Sequence, residues 1–177
     1  MIRYFITLAI AIAAALAAPQ AMAEKVIVYR EGQRVEPDDV AAVLGKTRSI
    51  RLLDANSAQT VGSGTTVEAL ALPVRFAFDS SEIQAAARTQ LDALANGIKL
   101  LAPDRIVTVE GHTDATGEGA YNLALSRARA QAVRDYLVEH HGIAASRLKT
   151  VGFGKERPIQ GSDPYASVNR RVQFRGS

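Results

Sequence analysis

The chain has 177 residues, of which 47% are apolar and 22% charged, and its formal net charge is +3. This length and composition suit one globular domain with appendages, and the even charge balance argues against a general polyanion-binding or nucleic-acid-binding protein. The chain contains no cysteine, which excludes disulfides, thiol catalysis, cysteine-ligated metals and acylation of an N-terminal cysteine.

Residues 1–23 have the organisation of a secretory signal peptide. Arg3 supplies positive charge, residues 4–18 form an apolar run that is short for a membrane span, and residues 21–23 (AMA) match a signal-peptidase site. We therefore predict cleavage before Glu24 and export to the periplasm. An uncleaved N-terminal anchor is the alternative.

Residues 24–54 are predicted to form a small strand–helix–strand unit. Residues 25–29 have strand composition, and Pro37 and Gly45 mark the start and the end of a helix. Residues 48–54 alternate like a second strand. A unit of this size buries little area by itself, so we expect it to dock on the main domain or on a partner. Residues 55–71 follow as a linker, rich in Ser, Gly, Thr and Asn over its first part.

The main domain is predicted over residues 72–177. Its first strand is expected at 72–78 (LPVRFAF), where apolar residues alternate. A helix is expected at 81–101, because its apolar residues recur every three or four positions. Ser81 and Gln84 fit a capping box at the start of that helix.

The remaining elements follow in the order strand, helix, strand, strand. Their predicted ranges are 105–111, 119–141, 148–153 and 169–175. The helix should bury a stripe made of Leu123, Ser126, Ala130, Val133 and Leu137, and end at Gly142. In the last strand, Val172 and Phe174 are expected to face inward, while Arg171, Gln173 and Arg175 alternate outward. The predicted fold is an α/β (α+β) two-layer sandwich of β-α-β-α-β-β order, with the N-terminal unit as a small βαβ-like extension.

Several spaced blocks resemble the signature of the OmpA-like C-terminal domain. They are GHTD at 111–114, G-x-x-x-YN-x-x-LS-x-x-RA at 117–130, GFG at 152–154 and NRRV at 169–172. The blocks occur in the family's order and extend over about residues 72–175. The resemblance implies the family's fold and its non-covalent binding of peptidoglycan, through the diaminopimelate of the stem peptide.

By this resemblance, Asp114 binds the ammonium of diaminopimelate and Arg129 binds the carboxylate, for which a planar guanidinium is well suited. Further candidate ligand-lining residues are Thr113, Tyr121, Asn122 and Arg170. The alternative, from the residues alone, is that Asp114 caps a turn and pairs with Arg129 to hold the loop. Residues 160–165 (QGSDPY) depart from the Glu-Gly-Arg segment of many relatives, which leaves the ligand contacts of this loop open.

An enzyme is not expected, although His112 lies beside the motif. A catalytic metal site needs at least three convergent ligands, and two of the chain's three histidines, His140 and His141, are at the far end of the helix. The chain also lacks a Gly-x-Ser-x-Gly nucleophile elbow. We predict that His112 bonds to backbone, that Asn169 fixes the adjacent loop, and that the protein uses no cofactor or metal.

The predicted function is to bind peptidoglycan in the periplasm and tether the cell envelope to the wall, in association with the wall or the outer membrane. The alternative is an envelope assembly protein, in which residues 24–66 dock an outer-membrane or envelope partner and the main domain only localises it. A wall amidase is disfavoured by the missing catalytic sets, and a flagellar stator role would require a retained membrane span.

Overall fold

A computed structural model describes residues 25–45, 68–76 and 80–177 of the chain. The predicted signal peptide at 1–23 and the predicted strand at 48–54 lie outside these ranges, as does most of the predicted linker. No helix in the described ranges is long and apolar enough to cross a membrane.

The described residues form a mixed α/β fold with a five-stranded sheet and three α-helices. In chain order the elements are β1 (Lys25–Val28), α1 (Pro37–Leu44), β2 (Glu68–Leu72), α2 (Ala85–Lys99), β3 (Val107–His112), α3 (Gly119–His141), β4 (Leu148–Gly154) and β5 (Val172–Gly176). The sheet order is β1-β2-β5-β3-β4. The pairs β1/β2 and β3/β4 are parallel, and β5 runs antiparallel between them. The predicted order of elements in the main domain is confirmed.

Helices α1 and α3 pack on the same face of the sheet. A Cβ on Gly111 would collide with Ser126 of α3, and a Cβ on Gly176 would collide with Leu44 of α1. Gly176 lies opposite Val107, which is four residues before Gly111 on the same strand. Residues two or four apart on a strand point to the same side, so both helices cover one face. Helix α2 contacts both α1 and α3, and its buried residues join the same core.

The N-terminal segment is part of this sheet and core. Strand β1 pairs with β2 at the sheet edge, and α1 buries Val40, Val43 and Leu44. Helix α1 lies so close to α2 that a Cβ on Gly97 would approach the Pro37 carbonyl to 2.7 Å. The apolar face of α1 is therefore occupied within the domain. Partner docking by residues 24–66 stays a prediction.

The strand predicted at 72–78 is wrong, because the strand is Glu68–Leu72. Residues 69–72 are all fully buried, so β2 is covered on both faces and lacks the alternation that marks a half-buried strand. Pro73 has no N–H to donate to a neighbouring strand and follows the last strand residue. The last residues of the range predicted as a linker thus belong to the sheet.

Helix α2 starts at Ala85, four residues later than predicted, and the capping box is absent. Gln84 is the N-cap residue and forms no side-chain cap bond. Instead, the Gln84 N–H donates to the Arg75 carbonyl (3.0 Å), and Phe76 forms a β-bridge with Ile83. This pairing keeps residues 83 and 84 extended, a tertiary constraint that local capping signals do not report.

Helix α3 matches its predicted range, Gly119–His141, and ends as predicted. Gly142 adopts the left-handed conformation (φ 65°), and its N–H donates to Val138. The buried stripe differs from the prediction at one position. Asn122 is buried, whereas Leu123 is only partly buried.

Strand β5 shows the predicted alternation, but its outward residues are not exposed. Val172 and Phe174 face the helices and are fully buried, yet Arg171 and Gln173 are buried as well. On the face without helices, the Gln173 side chain donates to Glu110 (3.1 Å). Arg175 donates to the same carboxylate through Nε (3.0 Å). A central strand has neighbours on both sides, so these polar side chains are buried by each other and by the segment around residues 157–160.

Candidate functional site

The loop between β3 and α3 is held by bonds to three other parts of the chain. The Thr113 N–H donates to the Gly154 carbonyl (2.9 Å), and the Ala115 N–H donates to the Pro164 carbonyl (3.0 Å). The Asn122 side chain donates back to the Thr116 carbonyl (2.8 Å). The loop therefore has a fixed shape before any ligand arrives.

Asp114 lies in this loop as a buried and ionised carboxylate. Its Oδ1 accepts from the Thr116 N–H (3.1 Å), and its Oδ2 accepts from Arg170 Nη1 (2.7 Å). Burial alone would raise the pKa of Asp114, but the bonds from Arg170 and Thr116 outweigh it and hold the pKa below its ordinary value. The site thus contains a fixed negative charge.

Arg129 lies in the third turn of α3 and is positioned by partners other than Asp114. Its Nε donates to the Ser80 carbonyl (3.1 Å), and its guanidinium carbon lies 4.9 Å from the centre of the Phe76 ring. A guanidinium over an aromatic face is stabilised by cation–π attraction. The sequence alternative paired Arg129 with Asp114, but the ion pair that Asp114 forms is with Arg170.

Arg129 and Arg170 both line a cleft of about 890 Å³. Asp114 is joined to this cleft by its ion pair with Arg170. One wall comes from the end of β1 and the turn after it, and another from the segment between β2 and α2. Their lining residues are Val28, Tyr29, Arg30, Glu31, Pro73, Val74, Arg75 and Phe76.

The other predicted ligand-lining residues do not all lie in the cleft. Arg170 has a half-exposed side chain (53%) in the cleft. Tyr121 is exposed (48%), and neither it nor Asn122 belongs to the cleft lining. Thr113 is buried, and its hydroxyl has no hydrogen-bond partner among the described residues. Of the four secondary candidates, the structure brings only Arg170 into the cleft.

Asn169 fixes the loop that precedes it, as predicted. Its Oδ1 accepts from the Ile159 N–H (2.8 Å), and its Nδ2 donates to the carbonyls of Asp163 (2.8 Å) and Pro164 (3.2 Å). Because Pro164 also accepts from the Ala115 N–H, Asn169 supports the loop that carries Asp114.

His112 does not bond to backbone through its ring, contrary to the prediction. The imidazole is buried, neither nitrogen has a hydrogen-bond partner in the described part of the chain, and the ring centre lies 5.5 Å from that of Phe153. Its Nε2 is 3.9 Å from Glu110. Burial lowers the pKa of His112, and Glu110 offsets this only in part, so the ring is neutral. Because His112 belongs to β3 and not to the loop, its ring is surrounded by side chains rather than by loop backbone.

Glu110 shares this buried face, beside a cavity of about 360 Å³. Burial would raise the pKa of Glu110, but the nearby His112 ring and the hydrogen bonds from Arg175 lower it below its usual value. Across residues 25–45, 68–76 and 80–177, no group of three His, Asp or Glu side chains could hold a metal ion.

Sequence reasoning missed the wall of the cleft that precedes the family motifs. Arg30 and Glu31 sit in a turn directly after β1, and Arg75 follows β2. The only available signal was the charged run at 30–34 (REGQR) after a strand, which does not reveal that residue 31 contacts residue 75. Chemically, the cleft presents guanidinium groups beside two paired carboxylates, Glu31 and Asp114, an arrangement suited to a ligand with carboxylate and ammonium groups.

Comparison with known proteins places these residues in one family. The OmpA family model matches residues 75–171, more than half of the chain. Outer membrane porin F of Pseudomonas aeruginosa is 38% identical over 123 residues, which are 68% of this chain and 34% of the porin. Peptidoglycan-associated lipoprotein of Mesorhizobium japonicum is 48% identical over 99 residues, 55% of this chain and 58% of the lipoprotein.

A solved structure supports the same assignment. The peptidoglycan-associated lipoprotein of Burkholderia pseudomallei superposes with a TM-score of 0.51 at 35% identity, covering 59% of this chain and 88% of that chain. The chain spans about a third of the porin and little more than half of the Mesorhizobium lipoprotein. Strands β1 and β2 and helix α1 all precede the matched residues. On the match over residues 75–171 and the shared fold, the chain belongs to the OmpA family.

Proposed function

We propose that this protein binds peptidoglycan non-covalently, through the diaminopimelate of the stem peptide, and tethers the cell envelope to the wall from the periplasm. The observation that carries the proposal is the ionised Asp114 of the β3–α3 loop, joined through Arg170 to the cleft that Arg129 lines, within the residues that the OmpA family model matches. Two similar proteins are named peptidoglycan-associated lipoproteins, which agrees with this function.

The chemistry of the pair fits the free end of diaminopimelate in a stem peptide, which carries an ammonium and a carboxylate on one carbon. The ammonium requires an ionised acceptor, and Asp114 is kept ionised by its bonds. A carboxylate oxygen can accept more than one hydrogen bond, so Asp114 can bind an ammonium while retaining Arg170. The carboxylate of the ligand would be bound by the planar donors of Arg129.

Binding is non-catalytic in this proposal. Charge-assisted hydrogen bonds contribute about 1.5–3 kcal/mol each, before the cost of ordering the ligand. One zwitterion therefore gives modest affinity, and attachment to a large polymer presents many such groups, which strengthens retention.

Calorimetric titration with free meso-diaminopimelate and with a soluble muropeptide tests the proposal. We expect saturable binding by the wild type, weakened by about tenfold or more in Asp114→Asn and in Arg129→Gln. Arg127→Gln is the matched control, since Arg127 is an exposed arginine on the same helix and outside the cleft. It should bind like the wild type.

Circular dichroism must show that every variant is folded, because Arg129 also bonds to Ser80. A folded wild type that binds neither ligand would contradict the proposal. So would an equal loss of affinity in Arg127→Gln, which would indicate a general charge effect.

A further inference from the structure

The wall of the cleft that lies outside the matched family region is rigidly held. The Tyr29 N–H donates to the Ala71 carbonyl (2.9 Å), which extends the β1–β2 ladder by one residue. The buried amide of Gln90 donates to the carbonyls of Arg30 (2.9 Å) and Gln33 (2.8 Å), so α2 fixes both ends of the turn. The matched residues begin at 75, so this turn precedes the matched region.

A bidentate ion pair joins this turn to the segment after β2. Arg75 Nε lies 2.6 Å from one oxygen of Glu31, and Arg75 Nη2 donates to the other oxygen (2.6 Å). A guanidinium has five N–H donors, and this contact uses only one edge. The Nη1 edge of Arg75 and the guanidinium of Arg30 form no further ion pair in the described ranges.

The side of the cleft formed by the turn after β1 and the segment after β2 has an excess of positive charge. Among its described lining residues, the charged ones are Arg30, Arg75 and Glu31, so two guanidinium groups face one carboxylate. Bound to Asp114 and Arg129, an ammonium–carboxylate group is neutral overall and leaves this excess unchanged. The excess therefore matches anionic groups elsewhere on the ligand.

The size of the cleft points the same way. At about 890 Å³ it falls near the upper end of the ~300–1,000 Å³ typical of pockets that enclose drug-sized ligands, and it is larger than one amino acid zwitterion needs. A stem peptide has such an additional anion. Diaminopimelate in the peptide retains a free zwitterion at one end, while the peptide adds the α-carboxylate of its γ-linked glutamate.

We propose that Arg30 and Arg75 form a second subsite, which binds the α-carboxylate of the stem-peptide glutamate, outside the diaminopimelate zwitterion. The subsite makes the cleft select the peptide over the free amino acid. Glu31 competes with that carboxylate for Arg75 and so restrains its affinity. This inference rests on the proposed function, because it assigns further contacts to the same ligand.

The test compares three ligands by calorimetry with the full chain. They are free meso-diaminopimelate, the tripeptide Ala-γ-Glu-diaminopimelate, and the tripeptide in which the glutamate α-carboxylate is an amide. We expect the double variant Arg30→Gln/Arg75→Gln to weaken tripeptide binding by about fivefold or more while binding free diaminopimelate like the wild type. If the amidated tripeptide is insensitive to the double variant, the subsite binds the glutamate carboxylate. If it is weakened as much as the unmodified tripeptide, the glutamate carboxylate is not the bound group and the subsite is overturned.

A variant with the opposite sign separates this effect from damage to the fold. Glu31→Gln removes the competing carboxylate and should strengthen tripeptide binding by about twofold to fivefold, whereas structural disruption would weaken it. Arg34→Gln is the matched control, because Arg34 lies in the same segment, is highly exposed (86%) and is not part of the cleft lining.

The outcomes test the subsite separately from the proposed function. Unchanged tripeptide binding in the double variant would overturn the subsite and leave the diaminopimelate site intact. An equal loss for free diaminopimelate and tripeptide would also overturn it, since the arginines would then act on the zwitterion. A wild type that binds none of the ligands would overturn the proposed function and the subsite with it.

Discussion

Arg170 donates a 2.7 Å hydrogen bond to Asp114 across 56 positions of sequence, and so joins the loop before α3 to the loop before β5. We expect Arg170→Gln to raise the pKa of the Asp114 carboxyl from its depressed value, because burial would then act with less opposition. Carboxyl NMR titration measures this directly.

The same bond has a defined effect on stability. A carboxyl whose pKa is lower in the folded state stabilises the fold above the unfolded pKa, and loses that contribution as the pH falls through the folded pKa. Arg170→Gln should therefore flatten the acid limb of the stability profile. An Asp114 pKa that is the same in both proteins would show that the ion pair is absent in solution.

Protonation of His112 should oppose folding. Burial depresses the pKa of His112 below the ordinary 6.5, so the unfolded chain binds more protons over this range. The free energy of unfolding should fall as the pH decreases from about 8 to about 5, and His112→Gln should reduce that fall. Urea unfolding at several pH values provides the measurement. His140→Gln is the control for removal of a histidine, because His140 is exposed.

Close contact between α3 and the sheet requires glycine at two strand positions. A Cβ at Gly111 would collide with the Ser126 carbonyl, and a Cβ at Gly152 would come within 2.6 Å of the Arg127 nitrogen. We expect Gly111→Ala to destabilise the protein by about 1–3 kcal/mol, as overpacking does in other cores. Gly119→Ala adds the same methyl group where its nearest contact is 3.8 Å away, and should be neutral or slightly stabilising. Equal urea midpoints for the two variants would contradict this packing.

Loss of the Asn169 side chain should release the loop at residues 155–168. Asn169→Ala removes the acceptor of the Ile159 N–H and the donors to Asp163 and Pro164, with an expected cost of about 1–3 kcal/mol. Hydrogen exchange should show lost protection of the Ile159 amide, and faster exchange at Ala115, which donates to Pro164. Asn96→Ala, at an exposed position of α2, should leave both amides unchanged. Retained protection at Ile159 would refute the role of Asn169.

Elements whose signals are local were predictable from the sequence. Helix α3 combines an apolar period, a Gly-rich start and a C-terminal Gly142, and its bounds agree with the structure. Strand β2 was misplaced, because a strand buried on both faces has no alternation to read. The start of α2 was misplaced because pairing of Gln84 with Arg75 outweighs the local capping signal.

In the candidate site too, some residues could be identified from a local motif, whereas others depend on contacts made in the fold. Asp114 and Arg129 lie inside one contiguous motif, so a single stretch of sequence identifies both. Arg170 was identified by its own motif, but its bond to Asp114 requires the fold. The Glu31–Arg75 pair joins residues 44 positions apart, and neither residue has a distinctive local pattern. The buried contacts of Arg171 and Gln173 likewise depend on a neighbouring strand.

The central place of β5 also constrains how the chain can fold. The β1/β2 pair and the β3/β4 pair are not hydrogen-bonded to each other. Both are joined to β5, which lies between them and is the last of the described strands in chain order. One continuous sheet can therefore form only after β5 has been synthesised, because β5 joins the two pairs. The closing contacts join distant parts of the sequence, a topology associated with slow folding. The cleft that Arg129 and Arg170 line draws its walls from both halves, so it is complete only when β5 is in place.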